Sequence, residues 1–456
     1  MARKVFISFL GLTNYKECRY YKGEFCSESV RYIQEATLDY LLKKESWNEN
    51  DIAYILLTNG AKKSNWVDNG HKNHNTMEPI IQEGLNTRLK NKRYPFVVKI
   101  IEQLPDGKDE KELFEIFRKI YDILEPNDHL YFDITHGFRS LPMLALVLEN
   151  YSKFLKNIVV KSITYGNYEA SDEIHDNNNN VYRKAPIIDL LPLSKIQDWT
   201  FAAADYLRNG NAKRIKELIT DHRSAICRGL KEGNKDDAEK LNDIANSLER
   251  FVNDFQTCRG LNILSGNNVT KLRKNLVEYG NTLIDPLNPI IEKVKDSFDS
   301  FEDSSGQPNL KNGFEAAKWC ISHNLYQQAA TILQENIVSF FCSRYKLSLC
   351  NKEERNLVNI TFAYHKKLLD TKTSKEDKDK ILETIKDNST IKQLFDDTIL
   401  SSKEIIEEFG RLTDERNDIN HSGMRDCPHD ASTIRRNIVK AYNTFYNSLY
   451  RDTNYE

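Results

Sequence analysis

The chain lacks the sequence signatures of several large protein classes. No apolar run approaches the roughly 20 residues that a membrane-spanning helix needs. Neither GxGxxG nor GxxxxGK(S/T) occurs, which disfavours dinucleotide coenzymes and ordinary ATP hydrolysis. The formal net charge is only −2, which argues against a polybasic protein that grips long duplexes. We therefore expect no membrane partner and no stable DNA binding.

Metal and disulfide patterns are also missing. The eight cysteines form no CxxC pair and no framework spacing, and no secretion signal is recognisable, so we expect reduced thiols in a cytoplasmic protein. His71 and His74 stand three residues apart in a polar stretch without a cysteine or carboxylate partner. That setting favours a polar loop over a zinc ligand pair. The sequence thus predicts no metal site and no cofactor.

The composition does support large folded cores. Hydrophobic residues make up 39% of 456 residues, which excludes global disorder. A chain of this length exceeds a single core and predicts two or three domains.

The first part of the chain alternates strand-like and helical patterns. Continuous apolar runs separated by helical patterns at 28–44, 76–91, 113–124 and 142–155 predict a parallel sheet with helices on both faces. A polar loop is predicted at 172–180, and a β-rich piece at 185–193 closes this α/β domain. The apolar runs are Val5–Leu10, Ile52–Leu57, Phe96–Ile101, Leu130–Phe132 and Ile158–Tyr165.

Strand patterns end at about residue 195. The spacing predicts an all-α connector over 197–300, a linker at 297–310, and further helices at 325–341, near 400–420 and at 431–450. The predicted domains are an α/β domain at 1–193, a helical connector at 194–305 and a helical bundle at 306–456.

Polar turns follow three of the predicted strands and should meet at one edge of the sheet. They offer hydroxyls, amides, glycine backbone and one arginine, and a helix with Pro142 in its first turn starts beside them. This set suits phosphates and base edges better than magnesium, which prefers more oxygen anions. The simpler alternative is that Asp133 and Thr135 cap that helix while His136 packs. The candidate ligand-binding residues are Gly11, Thr13, Asn14, Thr58, Asn59, Asp133, Thr135, His136, Gly137, Arg139 and Ser140.

Arg416 and His421 form the second candidate site. Five positions on a helix separate two side chains by about 140°, so the pair works best where the helix ends, as Ser422-Gly423 predicts. A histidine can move protons of an RNA 2′-hydroxyl and 5′-oxygen, and an arginine can hold the phosphate between them. One histidine per chain favours a dimer. The simpler alternative is a solvated turn in which His421 complements the helix dipole.

The sequence Asp133-Ile-Thr-His-Gly-Phe-Arg-Ser140, preceded by Leu104–Lys108 and Glu112-Leu-Phe, resembles a known family. These are the CRISPR-associated proteins named for a DxTHG motif, which resemble two-domain ribonucleases of type III CRISPR defence. The resemblance implies that 1–193 is a Rossmann-like CARF domain and that 306–456 is a HEPN domain. Arg416 and His421 match the HEPN motif RxxxxH as catalytic residues, Asn417 falls at its polar position, and Lys318–Glu335 resembles its helix pair.

This resemblance implies a messenger-gated enzyme. A cyclic oligoadenylate, with cyclic tetra-adenylate as the ring expected first, would bind across a homodimer or higher homo-oligomer. The activated enzyme would cut single-stranded RNA without a metal ion and leave 2′,3′-cyclic phosphate and 5′-hydroxyl ends.

Three alternatives stay open. The α/β domain could itself cleave the messenger as a ring nuclease, with Thr13 or Thr135 near a phosphate. The chain could be a ligand-gated regulator without ribonuclease activity, although its best candidate for a DNA-reading helix, Thr433–Asn437, is weak. The dimer could also be catalytically inactive, which the intact Arg416–His421 pair argues against.

Overall fold

The computed structural model describes residues 2–137, 139–175, 181–228, 235–279, 288–302 and 307–451. The chain divides into two compact units, Met1–Lys195 and Ile196–Glu456. The first contains the sheet and the second contains helices, so the predicted fold class, α/β followed by all-α, is confirmed.

The first unit is built on one mixed sheet. Its central strands run parallel in the order β7-β6-β1-β4-β5, and these are the five predicted apolar runs. The described strands are β1 (Lys4–Phe9), β2 (Arg19–Lys22), β3 (Phe25–Cys26), β4 (Ile52–Thr58), β5 (Val97–Leu104), β6 (His129–Asp133), β7 (Val159–Gly166), β8 (Asp172–His175) and β9 (Val181–Asp189).

Helices cover both faces of this sheet, as predicted. Because side chains alternate along a strand, β1 sends Val5 and Ile7 into one buried cluster and Phe6 into another. The first cluster includes residues of α4 and α5, and the second includes residues of α1 and α3. The helices are α1 (Ile33–Lys44), α2 (Asn59–Ala61), α3 (Leu85–Lys92), α4 (Glu110–Ile123) and α5 (Leu141–Lys156), with a π-helical turn at Lys62–Trp66 after α2.

The edge of the sheet differs from the prediction. The expected polar loop at 172–180 contains β8, which pairs antiparallel with β9, while 176–180 lie outside the described residues. The β-rich piece predicted to end at Leu193 ends at Asp189, since a helix begins at Leu191. The helix predicted over 76–91 begins only at Leu85, because Pro79 and Gly84 interrupt its N-terminal part.

The second unit is helical throughout its described residues. Its buried cluster extends from Trp199 to Leu449 and includes both predicted helical segments; the rings of Phe255 and Trp319 lie 4.9 Å apart. One buried cluster thus includes residues from both sides of the predicted domain boundary between residues 305 and 306. That boundary stays a prediction. No helix in the described part of the chain is long and apolar enough to span a bilayer. The helices are α6 (Leu191–Asn209), which begins in the first unit, α7 (Lys213–Cys227), α8 (Lys235–Gln256), α9 (Gly260–Ser265), α10 (Asn267–Tyr279), α11 (Asn288–Asp296), α12 (Leu310–Ser322), α13 (Tyr326–Arg344), α14 (Lys352–Leu369), α15 (Lys375–Asp387), α16 (Ser389–Phe395), α17 (Lys403–Asn420) and α18 (Ala431–Tyr446).

Candidate functional site

The turns after β1, β4 and β6 meet at one edge of the sheet, because these strands are parallel neighbours. We call this edge the polar rim; it comprises residues 11–15, 58–60 and 133–137. The side-chain amide of Asn65, just past α2, donates to the carbonyl oxygens of Gly11 and Thr13 at 2.9 Å each. The turns after β1 and β4 are thereby joined, as a ligand site at a sheet edge requires.

Asp133 organises the rim from below. It is fully buried, and burial raises the pKa of its carboxyl, against hydrogen bonds from Thr135 and Ser8 that lower it. The Ser8 hydroxyl donates to Oδ2 at 2.7 Å, and the Thr135 hydroxyl donates to Oδ1. The Thr135 oxygen accepts from the Gly166 N–H at 2.8 Å. The buried carboxylate thus fixes the DxTHG turn to β1 and β7.

His136 lies against Tyr15 on this rim. The two rings stack with centroids 4.2 Å apart. Burial lowers the pKa of His136 to about 4 and raises that of Tyr15. The imidazole is therefore neutral at physiological pH, and it offers a flat face and a polar edge rather than a positive charge.

Two glycines are required by close contacts at the rim. Gly137 has φ +147°, a region that other residues rarely adopt, and a Cβ there would lie 2.6 Å from Leu141 Cδ2. A Cβ on Gly11 would lie 2.2 Å from the Tyr15 hydroxyl. Bare backbone therefore faces the space beside Tyr15 and His136, which suits close approach of a phosphate.

The predicted rim residues differ in exposure. Asp133 and Thr58 are buried, and the Thr58 hydroxyl accepts from the Ala61 N–H at 3.2 Å at the start of α2. Neither Asp133 nor Thr135 caps α5: Ser140 is its N-cap residue and makes no side-chain capping bond. Phe138 lies outside the described residues. Thr13, Asn14, Asn59, Gly137 and Arg139 are exposed, and Gly11, Thr135, His136 and Ser140 are partly buried.

The structure adds residues that sequence reasoning missed. Ser8 and Gln34 extend the Asp133 network, with Gln34 Nε2 donating to the Ser8 hydroxyl at 3.0 Å. Ser8 could have been recognised from the sequence, because it is a polar residue within an apolar strand. Tyr15 could have been recognised too, because it directly follows the predicted turn at Asn14. Asn65 could not have been recognised from the sequence, because its role depends on the path of the chain after α2.

In the second unit, Arg416 and His421 lie at the end of α17. His421 is the C-cap residue, and Ser422 (φ 56°) and Gly423 (φ 67°) turn the chain away, as the sequence predicted. The Arg416 guanidinium donates to no carboxylate among the described residues. Its Nη1 donates to the Gln334 side-chain oxygen of α13 at 3.3 Å, and its buried Nε has no hydrogen-bond partner.

Asn417 and His421 are exposed beside this arginine. The His421 backbone N–H donates to the Asn417 carbonyl at 2.9 Å and so completes the last turn of α17. Gln334, which sequence reasoning missed, also donates to the Thr413 hydroxyl at 3.0 Å. It is a polar residue within the apolar stripe of α13, and that was its only signal.

Comparison with known proteins agrees with this geometry. Residues 5–169, which contain the polar rim, match the CARF domain of the CRISPR system endoribonuclease Csx1. The chain is also 25% identical over 269 residues to the CRISPR-associated protein MJ1674 of Methanocaldococcus jannaschii. That alignment covers 58% of this chain and 37% of the relative, so the chain matches little more than a third of the relative's length. Both findings support the predicted family of CRISPR-associated proteins that contain a CARF domain, and the matched CARF domain lies in the N-terminal unit.

Proposed function

We propose that the chain is a ribonuclease switched on by a cyclic oligoadenylate in type III CRISPR defence. The CARF domain binds the messenger at the polar rim. The helical unit acts as a HEPN domain that cuts single-stranded RNA through Arg416 and His421, with Asn417 assisting.

The observation that carries this proposal is that Arg416 has no ion-pair partner among the described residues and a buried Nε without a hydrogen bond. Nearly all buried polar groups have a hydrogen-bond partner, yet the Nε of this arginine is buried without one. Some arginines of the unit, such as Arg355 with Glu335 at 2.7 Å, are in ion pairs, whereas Arg416 and Arg223 each have a buried Nε without a hydrogen-bond partner. A guanidinium with spare donors, five positions before an exposed histidine at the helix end, suits a phosphate diester, which accepts two parallel hydrogen bonds.

The reaction follows from these groups. An imidazole removes the proton of an RNA 2′-hydroxyl, the 2′-oxygen attacks the adjacent phosphorus, and the bond to the 5′-oxygen breaks as that oxygen gains a proton. Arg416 offsets the charge on the phosphoryl oxygens. The products are a 2′,3′-cyclic phosphate and a 5′-hydroxyl. DNA, which lacks the 2′-hydroxyl, is not cut.

A dimer supplies the second histidine. One imidazole cannot serve at once as base and acid, whereas two facing chains provide a pair. The outer face of α5 supports self-association: Met143, Val147 and Phe154 lie on one side of the helix with exposures of 74%, 55% and 84%. An exposed apolar stripe of this kind marks an interaction surface, and a two-fold axis buries it against its own copy.

The rim suits an adenylate ring for separate reasons. Arg139 is an exposed cation next to the glycine backbone at the start of α5, where a phosphate is favoured. The Tyr15–His136 stack provides an aromatic surface for a base. Thr135 donates its hydroxyl hydrogen to Asp133 and accepts from the Gly166 N–H, which holds its side chain within the turn.

The test is cleavage of a fluorescent single-stranded RNA by the full chain, without added divalent ions. Reactions contain no activator, or cyclic tri-, tetra- or hexa-adenylate. We expect strong cutting with one ring, loss of at least 100-fold in rate for His421→Ala and Arg416→Ala, and retained activity for the exposed controls His175→Ala and Arg425→Ala.

Two results would overturn the proposal. If a ring binds and RNA stays intact, the chain is a ligand-gated regulator. If the ring itself is degraded equally by wild type and His421→Ala while RNA stays intact, the CARF domain is a ring nuclease.

A further inference from the structure

A second cluster of ionisable groups lies beside the candidate catalytic residues. Glu415 and Asp418, three positions apart on α17, are 0% and 1% exposed. Such a spacing places both on one face of the helix. His429, from the segment between α17 and α18, reaches the same point, and one ligand atom from each of the three residues lies within 4.8 Å of the others.

The cluster is only partly satisfied by hydrogen bonds. Glu415 Oε1 accepts from His429 Nδ1 at 2.8 Å and from Asn437 at 2.6 Å, and Asp418 Oδ2 accepts from the His429 backbone N–H at 2.8 Å. The other oxygen of each carboxylate, Glu415 Oε2 and Asp418 Oδ1, is buried with no partner among the described residues.

These carboxylates also have no lysine or arginine partner within the described part of the chain. Glu408, about two turns earlier on α17 and also buried, shows the contrast, because it pairs with Arg411 and with Lys440 at 3.3 Å. Burying an ionised carboxylate without a cation is costly. Glu415 and Asp418 each keep one buried carboxylate oxygen without a hydrogen-bond partner. The cluster can therefore accommodate more positive charge than His429 alone supplies.

We propose that Glu415, Asp418 and His429 bind one divalent transition-metal ion. Two carboxylate oxygens and one imidazole nitrogen are ligands typical of zinc and manganese, whereas magnesium and calcium prefer all-oxygen sites. Two ligands about 2.1 Å from a tetrahedral zinc ion lie about 3.4 Å apart, so the 2.8 Å contact between Glu415 and His429 would lengthen slightly on binding. On binding, the ion takes the place of the hydrogen on His429 Nδ1: in a neutral imidazole that proton moves to Nε2, and in an imidazolium it is released.

The ion would have a structural role beside the candidate catalytic residues. The ion would join Glu415 and Asp418 of α17 to His429. It would thereby fix the segment 421–430, which starts at the candidate catalytic residue His421. It takes no part in breaking the RNA bond. The inference is separate from the proposed function, because metal binding is measured without RNA or messenger.

The test is calorimetric titration of the full chain, stripped with a chelator and dialysed, with Zn²⁺, Mn²⁺ and Mg²⁺. We expect one Zn²⁺ or Mn²⁺ per chain and at least tenfold weaker binding of Mg²⁺. Glu415→Gln and His429→Ala should each weaken Zn²⁺ binding at least tenfold. Asp414→Asn, an exposed carboxylate next to Glu415, and His175→Ala should bind as wild type.

Unchanged Zn²⁺ binding in Glu415→Gln and His429→Ala, or no saturable binding by wild type, would overturn the proposal and leave a hydrogen-bonded ion pair. Circular dichroism checks folding. If Glu415→Gln unfolds, His429→Ala decides, since that side chain is 44% exposed and its loss disturbs no core. Co²⁺ gives an independent readout, because its visible absorption should appear in wild type and be lost in His429→Ala.

Discussion

At the scale of single residues, the candidate sites depend on buried polar groups as well as on exposed ones. Asp133 is the centre of its motif, yet it is buried and bonded to Ser8, 125 positions earlier in the chain. The sequence showed that this aspartate follows a strand and precedes a helix. It could not show that the carboxylate points inward, because that depends on which strand lies beside β6.

The stability of the first unit should fall with acid through His136. Its pKa is about 4 in the folded chain against 6.5 for the free group, so the unfolded chain binds the proton more readily. The stabilisation is complete above pH 6.5 and is lost as the pH falls towards 4. By linkage, going from pH 7.5 to 5.5 should lower the free energy of unfolding by up to about 1 kcal/mol through this group.

Urea denaturation of wild type and His136→Phe at both pH values measures this effect. Phenylalanine keeps the stack on Tyr15 and removes the titration, so the loss should be smaller in the variant. An equal loss in both proteins would show that His136 is not responsible.

At the scale of secondary structure, long apolar elements were predictable and short polar ones were not. The inner strands β1, β4 and β6 are buried on both faces, so their sequences are continuous apolar runs. β2 and β8 are strands of four residues each, Arg19–Lys22 and Asp172–His175, whose polar side chains resemble a loop. The end of α17 was predictable, because Ser422-Gly423 adopts the left-handed conformation that ends helices.

The packing of α13 on α17 should control Arg416 through Gln334. In Gln334→Glu the new carboxylate would pair with Arg416. It would neutralise the guanidinium charge that the proposed mechanism uses to bind the RNA phosphate. We expect kcat to fall at least tenfold with little change in KM, and Gln334→Asn to recover part of the activity. Steady-state RNA cleavage under activator measures both constants.

The matched control is Gln328→Glu, which adds the same charge six positions earlier on α13. It should cleave RNA as wild type does. Similar losses in both variants would point to general repulsion of RNA instead of a pairing with Arg416.

At the scale of the whole molecule, each unit has buried clusters of its own, and the outer face of α5 is left apolar. Phe154, at 84% exposure, contributes nothing to the core of its own chain. In the proposed dimer it contributes to assembly instead, and assembly determines whether two histidines meet.

Phe154→Glu should therefore produce a folded monomer. Light scattering after size exclusion should give the mass of one chain, 53.1 kDa, where wild type gives at least twice that, and messenger-stimulated cleavage should fall at least tenfold. Val277→Glu, an exposed apolar position on α10 (68%), is the control and should stay dimeric. A dimeric Phe154→Glu would place the interface elsewhere.

The central position of β1 has a consequence during synthesis. This strand pairs with β4 on one side and β6 on the other, and the ribosome adds the residues of β6 more than a hundred positions later. At about 5–20 residues per second, one edge of the nascent strand waits on the order of ten seconds for its partner. The polar rim cannot form before Asp133 leaves the exit tunnel, so the first unit completes its fold late in synthesis. Until then the apolar strand β1 lacks one of its two partner strands.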